Sequence, residues 1–466
     1  MEKYDLVVIG SGPAGEKAAV KAAYFGHKVA LIEKETVFGG AVVNTGTLPS
    51  KTLKETALYL SGKYEKGLYG KDKIARESKS LENFLYRQRL VSSESNKDVE
   101  NNLKKHNVSI YLGTASLIAN NIISIDNKNQ IFGEKILIAT GSYPVQPKHI
   151  PFDGVLVHDS DSILRLQKLP ESICIVGAGV IGCEYATIFA AMGTKVFLVN
   201  SVDKILSFLD RETSSLLLEL MQRDGIETHL GQSLESVVLN GEKNSIKINL
   251  QNGISIDSEM FLFAAGRSGR ISDLNCDKVG IETGKRETIM VNEKYQTSVP
   301  NIYAVGDVIG FPALASTSMD QGRVAVSHMF NLKDVDSIPK LLCYGIYTIP
   351  EVSMVGLTEE AANDQRLEYF VGRASYSKIP RGRILGAQSG QLKLIFCRKS
   401  NKLLGVHIIG NMAAELIHFG MGALDSQKNV HELIGTVFNF PTLHELYKYA
   451  SFDALGNLSG HKIKDH

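Results

Sequence analysis

The feature that most constrains the fold is a local pattern that the chain carries twice. A short apolar run leads directly into a glycine-rich turn at Gly10, and again at Gly177, 167 positions later. Each turn is followed by a predicted helix, over 16–26 and 184–192, and then by a second apolar run. Strand, glycine turn, helix and strand in this order are typical of a dinucleotide-binding unit. The sequence therefore predicts an α/β protein with two Rossmann-like units.

The residue that ends the second strand differs between the two units. Glu33 follows Gly10 by 23 positions, where a carboxylate can accept a hydrogen bond from a ribose 2′-hydroxyl. Asn200 stands at the same offset from Gly177. An amide can accept from a hydroxyl or donate to a phosphate, so Asn200 is expected to read the ribose of nucleotides with and without a 2′-phosphate. The alternative is a turn residue that contacts no ligand.

Composition narrows the class of protein. The 466 residues include 51 Lys and Arg against 50 Asp and Glu, which argues against nucleic-acid binding through bulk charge. No apolar run approaches the ~18 residues that a membrane span needs. The glycine turn begins at Gly10, which leaves no room for a signal peptide. Five Cys without paired spacing suggest neither a disulfide scaffold nor a metal site. We therefore expect a cytoplasmic protein without nucleic-acid or membrane partners.

The motifs divide the chain into four segments. The first dinucleotide-binding domain takes 1–150 and returns over 271–342, the second domain takes 151–270, and a C-terminal α+β domain takes 343–466. Within the first segment, the charge-rich stretch 72–106 predicts an amphipathic helix. Further helices are predicted near 411–425 and 442–455, both in the C-terminal domain.

The ordered motifs resemble those of the FAD-dependent pyridine nucleotide-disulfide oxidoreductase family, which includes dihydrolipoamide dehydrogenase and glutathione reductase. The resemblance is carried by the two glycine turns, by 139–141 and by 304–308, and it spans nearly the whole chain. It implies that Asp307 holds the ribityl chain of FAD, that 113–115 meets the adenine, and that the C-terminal domain forms a homodimer or a higher homo-oligomer. The implied FAD residues are Gly10, Gly12, Pro13, Ala14, Gly15, Glu33, Lys34, Gly39, Gly40, Ala41, Val42, Thr45, Gly46, Lys51, Gly113, Thr114, Ala115, Ala139, Thr140, Gly141, Gly306, Asp307, Leu314 and Ala315. The implied NAD(P) residues are Gly177, Gly179, Val180, Ile181, Gly182, Glu184, Asn200, Gly266 and Arg267.

The chain departs from disulfide-reducing members at two places. Their paired cysteines correspond to Val42 and Thr47, neither of which can form the thiolate that disulfide exchange needs. Their C-terminal histidine corresponds to Phe440, although Glu445 remains, and His444 lies off position. We therefore expect no redox-active disulfide and no general base of that type.

What remains resembles the soluble, Si-specific pyridine nucleotide transhydrogenases of this family, through 46–51, 198–201, 303–310, 345–351 and 438–442. That resemblance implies hydride transfer from NADPH to NAD by a ping-pong mechanism through FAD, with one FAD per chain and NAD and NADP as substrates.

The resemblance also implies roles for individual residues near the reacting atoms. Lys51 and Glu184 would pair near the flavin and tune it, the alternative being a purely structural ion pair. Val180 would line the nicotinamide pocket. Arg267 is expected either to contact the nucleotide or to anchor its own loop.

Two other functions are compatible with the same motifs. The first is an NAD(P)H oxidase or quinone reductase (a diaphorase), which oxygen- or quinone-dependent NADH consumption would reveal. The second is a non-catalytic flavin-binding protein, whose flavin would not bleach when NADPH is added.

Overall fold

The structure is a computed structural model, and it describes residues 1–63, 68, 79–240, 245–387 and 389–460. Part of the helix predicted over 72–106 is present at Leu81–Lys105, and 72–78 lie outside the described residues. No helix in these ranges is long and apolar enough to cross a membrane.

The strands of the described residues are numbered in chain order. They are β1 Glu2–Ile9, β2 Val29–Glu33, β3 Ser109–Leu112, β4 Ala115–Ala119, β5 Ile122–Ile125, β6 Asn129–Ile138, β7 Ser142–Pro144, β8 Val157–Asp159, β9 Ser172–Val176, β10 Lys195–Asn200, β11 Glu227–Leu230, β12 Leu234–Asn240, β13 Ser245–Leu250, β14 Ser255–Ser258, β15 Met260–Phe263, β16 Arg267–Gly269, β17 Ile302–Ala304, β18 Tyr344–Ile346, β19 Val352–Gly356, β20 Tyr369–Ser375, β21 Gln391–Cys397 and β22 Leu403–Ile409.

The α-helices are numbered in the same way. They are α1 Pro13–Tyr24, α2 Gly40–Asn44, α3 Thr47–Ser61, α4 Leu81–Lys105, α5 Val180–Met192, α6 Arg211–Arg223, α7 Ala315–Met329, α8 Glu359–Asp364, α9 Pro380–Ile384, α10 Ala413–Asp425, α11 Val430–Gly435 and α12 Glu445–Ser459.

The first sheet is built around β1, whose apolar residues 6–9 are buried. The order β3-β2-β1-β6 is parallel throughout, and β17 pairs with the end of β6, also in parallel. The start of β6 pairs in antiparallel with β5, and β5 with β4. A strand from 302–304 thus completes a sheet whose other strands come from the first 138 residues.

The second sheet has the order β11-β10-β9-β15-β8, and all of its pairings are parallel. Helix α5 follows β9 and is buried along nearly its whole length, because most of its side chains are apolar. The small antiparallel sheet β12-β13-β14 precedes β15, and the sequence patterns did not indicate it.

The C-terminal residues form a separate α+β layer pair. The antiparallel sheet has the order β18-β19-β22-β21-β20, and α10, α11 and α12 bury apolar residues with it in one core. Two Rossmann-like units and a C-terminal α+β domain are therefore present, and the predicted fold class is confirmed. The four segment boundaries remain a prediction.

Candidate functional site

Both glycine turns bring a helix unusually close to the strand before it. A Cβ atom on Gly15 would lie 1.9 Å from the carbonyl oxygen of Gly10, and one on Gly182 would lie 1.8 Å from that of Gly177. Gly10 and Gly177 have φ of +101° and +106°, which L side chains rarely adopt. Only glycine fits these positions. The glycines therefore allow α1 and α5 to begin within a few residues of the ends of β1 and β9.

The first turns of α1 and α5 are left open to a ligand. Their N-cap residues are Gly12 and Gly179, and no side chain caps either helix. The N–H groups of a first helical turn carry partial positive charge and favour phosphate oxygens. Both turns therefore suit a pyrophosphate.

Glu33 and Asn200 hold equivalent positions in the two units. One carboxylate oxygen of Glu33 accepts from the backbone N–H of Ser11 at 2.8 Å and from its hydroxyl at 2.5 Å. The amide oxygen of Asn200 accepts from the backbone N–H of Ala178 at 3.1 Å. Each acceptor therefore secures the residue that follows the first glycine of its turn.

The amide nitrogen of Asn200 is also engaged. It donates to the carbonyl oxygens of Val202 and Lys204, at 3.0 Å and 2.9 Å. Both amide hydrogens are thus used within the loop, so in this arrangement none is left to donate to a phosphate. The role of Asn200 as ribose reader remains a prediction.

One cavity of about 1140 Å³ runs from the first glycine turn to the C-terminal domain. All predicted site residues line it except seven, which are Gly15, Gly39, Gly177, Gly179, Gly182, Asn200 and Gly266. The cavity therefore joins the predicted FAD residues to Val180, Ile181, Glu184 and Arg267 of the second unit.

Lys51 and Glu184 meet inside this cavity. The Nζ atom of Lys51 lies 2.8 Å from both carboxylate oxygens of Glu184. The side chain of Glu184 is 3% exposed and that of Lys51 is 24% exposed. The ammonium is therefore the more accessible half of a pair whose carboxylate is buried.

The C-terminal domain adds a contact to each member of the Lys51–Glu184 pair. Sequence reasoning did not predict these contacts. The backbone N–H of Tyr347 donates to Glu184 at 2.9 Å, and the Lys51 ammonium lies 5.0 Å from the centre of the Tyr347 ring. Such a cation–π contact adds a second attractive interaction to the ammonium. Burial raises the pKa of Tyr347, so its phenol remains protonated at neutral pH.

Two further aromatic residues of the cavity were missed. Phe208, in the loop before α6, and Tyr344, in β18, have ring centroids 5.9 Å apart and both line the cavity. They come from different domains, so no local pattern in the sequence could have paired them.

Arg267 anchors its surroundings through four hydrogen bonds. It donates to the hydroxyl and the carbonyl oxygen of Ser142, at 2.9 Å and 3.0 Å. It also donates to the hydroxyl of Ser160 at 3.1 Å and to the carboxylate of Asp161 at 3.0 Å. Of the two roles expected for it, the anchoring role therefore has direct geometric support.

The positions expected to match the paired cysteines of disulfide-reducing family members lie beside the cavity. Val42, in α2, and Thr47, at the start of α3, both line it. All five cysteines are described, and none is paired with another. Cys343 lines the cavity, and burial raises its pKa, which disfavours the thiolate.

The residue expected to correspond to the C-terminal histidine of disulfide-reducing members lies on the surface of this chain. Phe440 is 66% exposed. His444 packs against the rings of Phe419 and Phe438, and burial lowers its pKa. Phe440 has no group that can accept a proton, so the position expected for the family's histidine carries no general base. His444, four positions further along the chain, has its ring packed against aromatic rings.

Comparison with known proteins identifies the family. Residues 4–322 match the model for pyridine nucleotide-disulphide oxidoreductases, and 343–451 match that family's dimerisation domain. The chain is 41% identical to a soluble pyridine nucleotide transhydrogenase of Mycobacterium bovis and 37% identical to one of Vibrio atlanticus, with 98% of each chain covered in both cases. It is also similar to the HOCl-induced flavoprotein disulfide reductase RclA from Escherichia coli, at 27% identity and a TM-score of 0.86, over 96% of this chain and 99% of that one. The predicted resemblance is confirmed: the chain belongs to the pyridine nucleotide-disulphide oxidoreductase family.

Proposed function

We propose that this protein is a FAD-dependent NAD(P)+ transhydrogenase, which moves a hydride from NADPH to NAD+ reversibly by a ping-pong mechanism and without a redox-active disulfide. The observation that carries the proposal is the cavity itself. It is lined by Gly10 and Gly12 of the first glycine turn, by Val180 and Ile181 at the start of α5, and by the Lys51–Glu184 pair. Val42 and Thr47 also line it, at the positions where disulfide-reducing members of the family are expected to carry thiols. Relatives that match over 98% of their length and of this chain are named soluble pyridine nucleotide transhydrogenases.

The first unit fits FAD. Its helix α1 has no side-chain cap, and the buried hydroxyl of Thr140 has no hydrogen-bond partner in the described part of the chain. An unpaired buried hydroxyl beside a cavity is accounted for when a ligand supplies the partner. Glu33 would contact the adenosine ribose, Asp307 the ribityl chain, and 113–115 the adenine. FAD, when bound, would supply the hydride-accepting and hydride-donating chemistry.

The second unit would bind the nicotinamide nucleotides one after the other. The uncapped start of α5, at Gly179, would take the pyrophosphate, and Val180 and Ile181 would border the nicotinamide. Asn200 carries no charge, so a 2′-phosphate would meet no carboxylate at the end of β10. One site can then serve both nucleotides, which a ping-pong mechanism needs.

Lys51 would stabilise the reduced flavin through its positive charge. A cation beside a flavin stabilises the electron density that the ring gains on reduction. Glu184, held by the backbone N–H of Tyr347, keeps the ammonium in place. This chain therefore contributes orientation and electrostatics.

The matched dimerisation domain supports a homodimer as the assembled form. The surface of this domain, 343–451, would then be shared between two identical chains. The partners of the protein would then be a second copy of the same chain and the nucleotide substrates.

The proposal is tested by anaerobic assay of the purified holoenzyme with NADPH and an NAD+ analogue whose reduced form absorbs at a distinct wavelength. Sustained reduction of the analogue and parallel double-reciprocal plots are expected. Flavin that bleaches with NADPH but passes nothing to the analogue, together with rapid oxygen or quinone consumption in air, would identify an oxidase or diaphorase instead. Flavin that does not bleach would identify a non-catalytic protein.

A further inference from the structure

Ser142 links the two dinucleotide units at the edge of the cavity. It begins β7, directly after Gly141, and is 8% exposed. Its hydroxyl lies 2.9 Å from Nε of Arg267 and 2.8 Å from one carboxylate oxygen, Oδ2, of Asp307. A single buried hydroxyl therefore stands between a guanidinium and a carboxylate.

The direction of these two hydrogen bonds follows from the groups involved. A guanidinium can only donate, so Nε–H of Arg267 occupies a lone pair of the Ser142 oxygen. The hydroxyl has one proton, which is then directed to the acceptor on its other side, Asp307. Arg267 thus sets the orientation of the hydroxyl, and the hydroxyl sets that of the carboxylate.

Arg267 itself is held from the second unit. Its NH1 group donates to the hydroxyl of Ser160 at 3.1 Å and to the carboxylate of Asp161 at 3.0 Å, just after β8. The contacts form a continuous series from the second unit through Arg267 and Ser142 to Asp307.

Asp307 has one oxygen taken by this series. In the described residues, Ser142 is the one group that hydrogen-bonds its side chain, and the residue lines the cavity. Oδ2 is fixed in place by Ser142, while Oδ1 accepts no hydrogen bond in the described residues, so both of its lone pairs can accept from ligand hydroxyls.

We propose that Ser142 is a positioning residue for FAD, which orients the Asp307 carboxylate toward the ribityl hydroxyls under the direction of Arg267. The proposal deepens the proposed function, because it assumes that FAD occupies this half of the cavity. It gives Arg267 a task beyond the nucleotide side, since the guanidinium of one unit sets a hydrogen bond in the other.

The test is the rate at which FAD leaves the holoenzyme after dilution, followed by the rise in flavin fluorescence without any nicotinamide nucleotide. Ser142→Ala removes the hydroxyl, and FAD release is expected to accelerate about tenfold or more, as for loss of a hydrogen bond to a charged group. If this variant is purified as the apoprotein, the dissociation constant of added FAD replaces the release rate and is expected to rise by the same factor.

Two further variants separate positioning from general loosening. Ser258→Ala removes a serine hydroxyl that is equally buried, at 3% exposure, but that donates to the carbonyl oxygen of Met260 and does not line the cavity, so FAD release is expected to match the wild type. Ser142→Thr keeps the hydroxyl and is expected to restore slow release. Wild-type release from Ser142→Ala, equal acceleration in Ser258→Ala, or fast release from Ser142→Thr would each overturn the proposal. Because no nicotinamide nucleotide is present, the result is independent of whether the wild type transfers hydride.

Discussion

Replacing Lys51 by Met tests whether its ammonium tunes the flavin. The two side chains are similar in length, but methionine has no charge and no donor for Glu184, whose oxygens now lie 2.8 Å from Nζ. The cation–π contact with Tyr347, at 5.0 Å, is lost as well. The substitution therefore removes the cation and leaves the shape of the site largely unchanged.

The expected magnitudes follow from burial. Loss of a charge-assisted hydrogen bond costs about 1.5–3 kcal/mol, which is about one to two decades in the rate of flavin reduction where it is felt in the transition state. Glu184 is 3% exposed on its side chain, so removing its cation leaves a buried charge unpaired. Breaking such a pair costs about 3–5 kcal/mol of folding free energy. Both quantities must therefore be measured.

Lys54 provides a matched control for Lys51. It lies on the same helix, α3, and its Nζ atom is 2.6 Å from Glu351 in an ion pair buried on both sides. Neither Lys54 nor Glu351 lines the cavity. Lys54→Met should therefore destabilise the protein in a similar way without touching the flavin site.

The assay is stopped-flow reduction of bound FAD by NADPH, with thermal unfolding of each holoenzyme measured in parallel. We expect Lys51→Met to retain FAD but to reduce it at about 1–10% of the wild-type rate, as the estimate for one charge-assisted contact implies. We expect Lys54→Met to lower the melting temperature with near wild-type reduction. Equal slowing in both variants, or normal reduction in Lys51→Met, would show that the Lys51–Glu184 pair is structural.

Three more predictions address the thiols, the nucleotide specificity and the acid stability. The holoenzyme should not turn over lipoamide, glutathione disulfide or an aromatic disulfide, because Cys343 is the single thiol lining the cavity; turnover that survives alkylation of the cysteines would contradict this. Asn200→Glu should impair flavin reduction by NADPH far more than by NADH, since it adds a carboxylate that repels the 2′-phosphate; an unchanged ratio of the two rates would refute the assignment. Burial alone would raise the pKa of Glu212, but hydrogen bonds from Arg373 and Lys393 lower it to about 2 from its ordinary 4.5. A carboxyl group whose pKa is lower in the folded than in the unfolded protein stabilises the fold at pH values above its unfolded pKa. The melting temperature should therefore fall as the pH drops from about 4.5 toward 2, and it should fall less in Glu212→Gln. Equal pH dependence in both proteins would exclude this contribution.

The parts of the site that the sequence predicts are those that depend on local geometry. Gly15 and Gly182 must be glycine because a Cβ atom would lie within 2 Å of a carbonyl oxygen five residues earlier, at Gly10 and Gly177. That constraint is set within a few residues, so it is visible in the sequence. The strand, turn and helix around each motif follow from the same short range.

The parts that could not be predicted depend on how separate domains pack. Arg267 meets Ser142, Ser160 and Asp161 across 125, 107 and 106 positions of the chain. Tyr347 reaches Glu184 across 163 positions. No periodicity connects such residues, because their contact is a property of the domain arrangement and of the loops that end each strand.

The comparison of Glu33 with Asn200 separates two tasks that one acidic residue ordinarily combines. Glu33 secures the turn by accepting the N–H of Ser11, and it also presents a negative charge at the strand end. Asn200 performs the first task with Ala178 and, through its amide nitrogen, secures the following loop as well. It lacks only the charge.

Since a carboxylate's charge repels a 2′-phosphate, we expect the second unit to keep its turn but to lack the discrimination against NADP that a carboxylate would impose. The alternative account is an Asn200 amide that donates to the phosphate, but both of its amide hydrogens are already used by Val202 and Lys204. Tolerance of both nucleotides would then come from neutrality at the strand end. Asn200→Ala distinguishes the two accounts: if neutrality is enough, any loss should be similar for NADH and NADPH, whereas direct recognition would make NADPH suffer more.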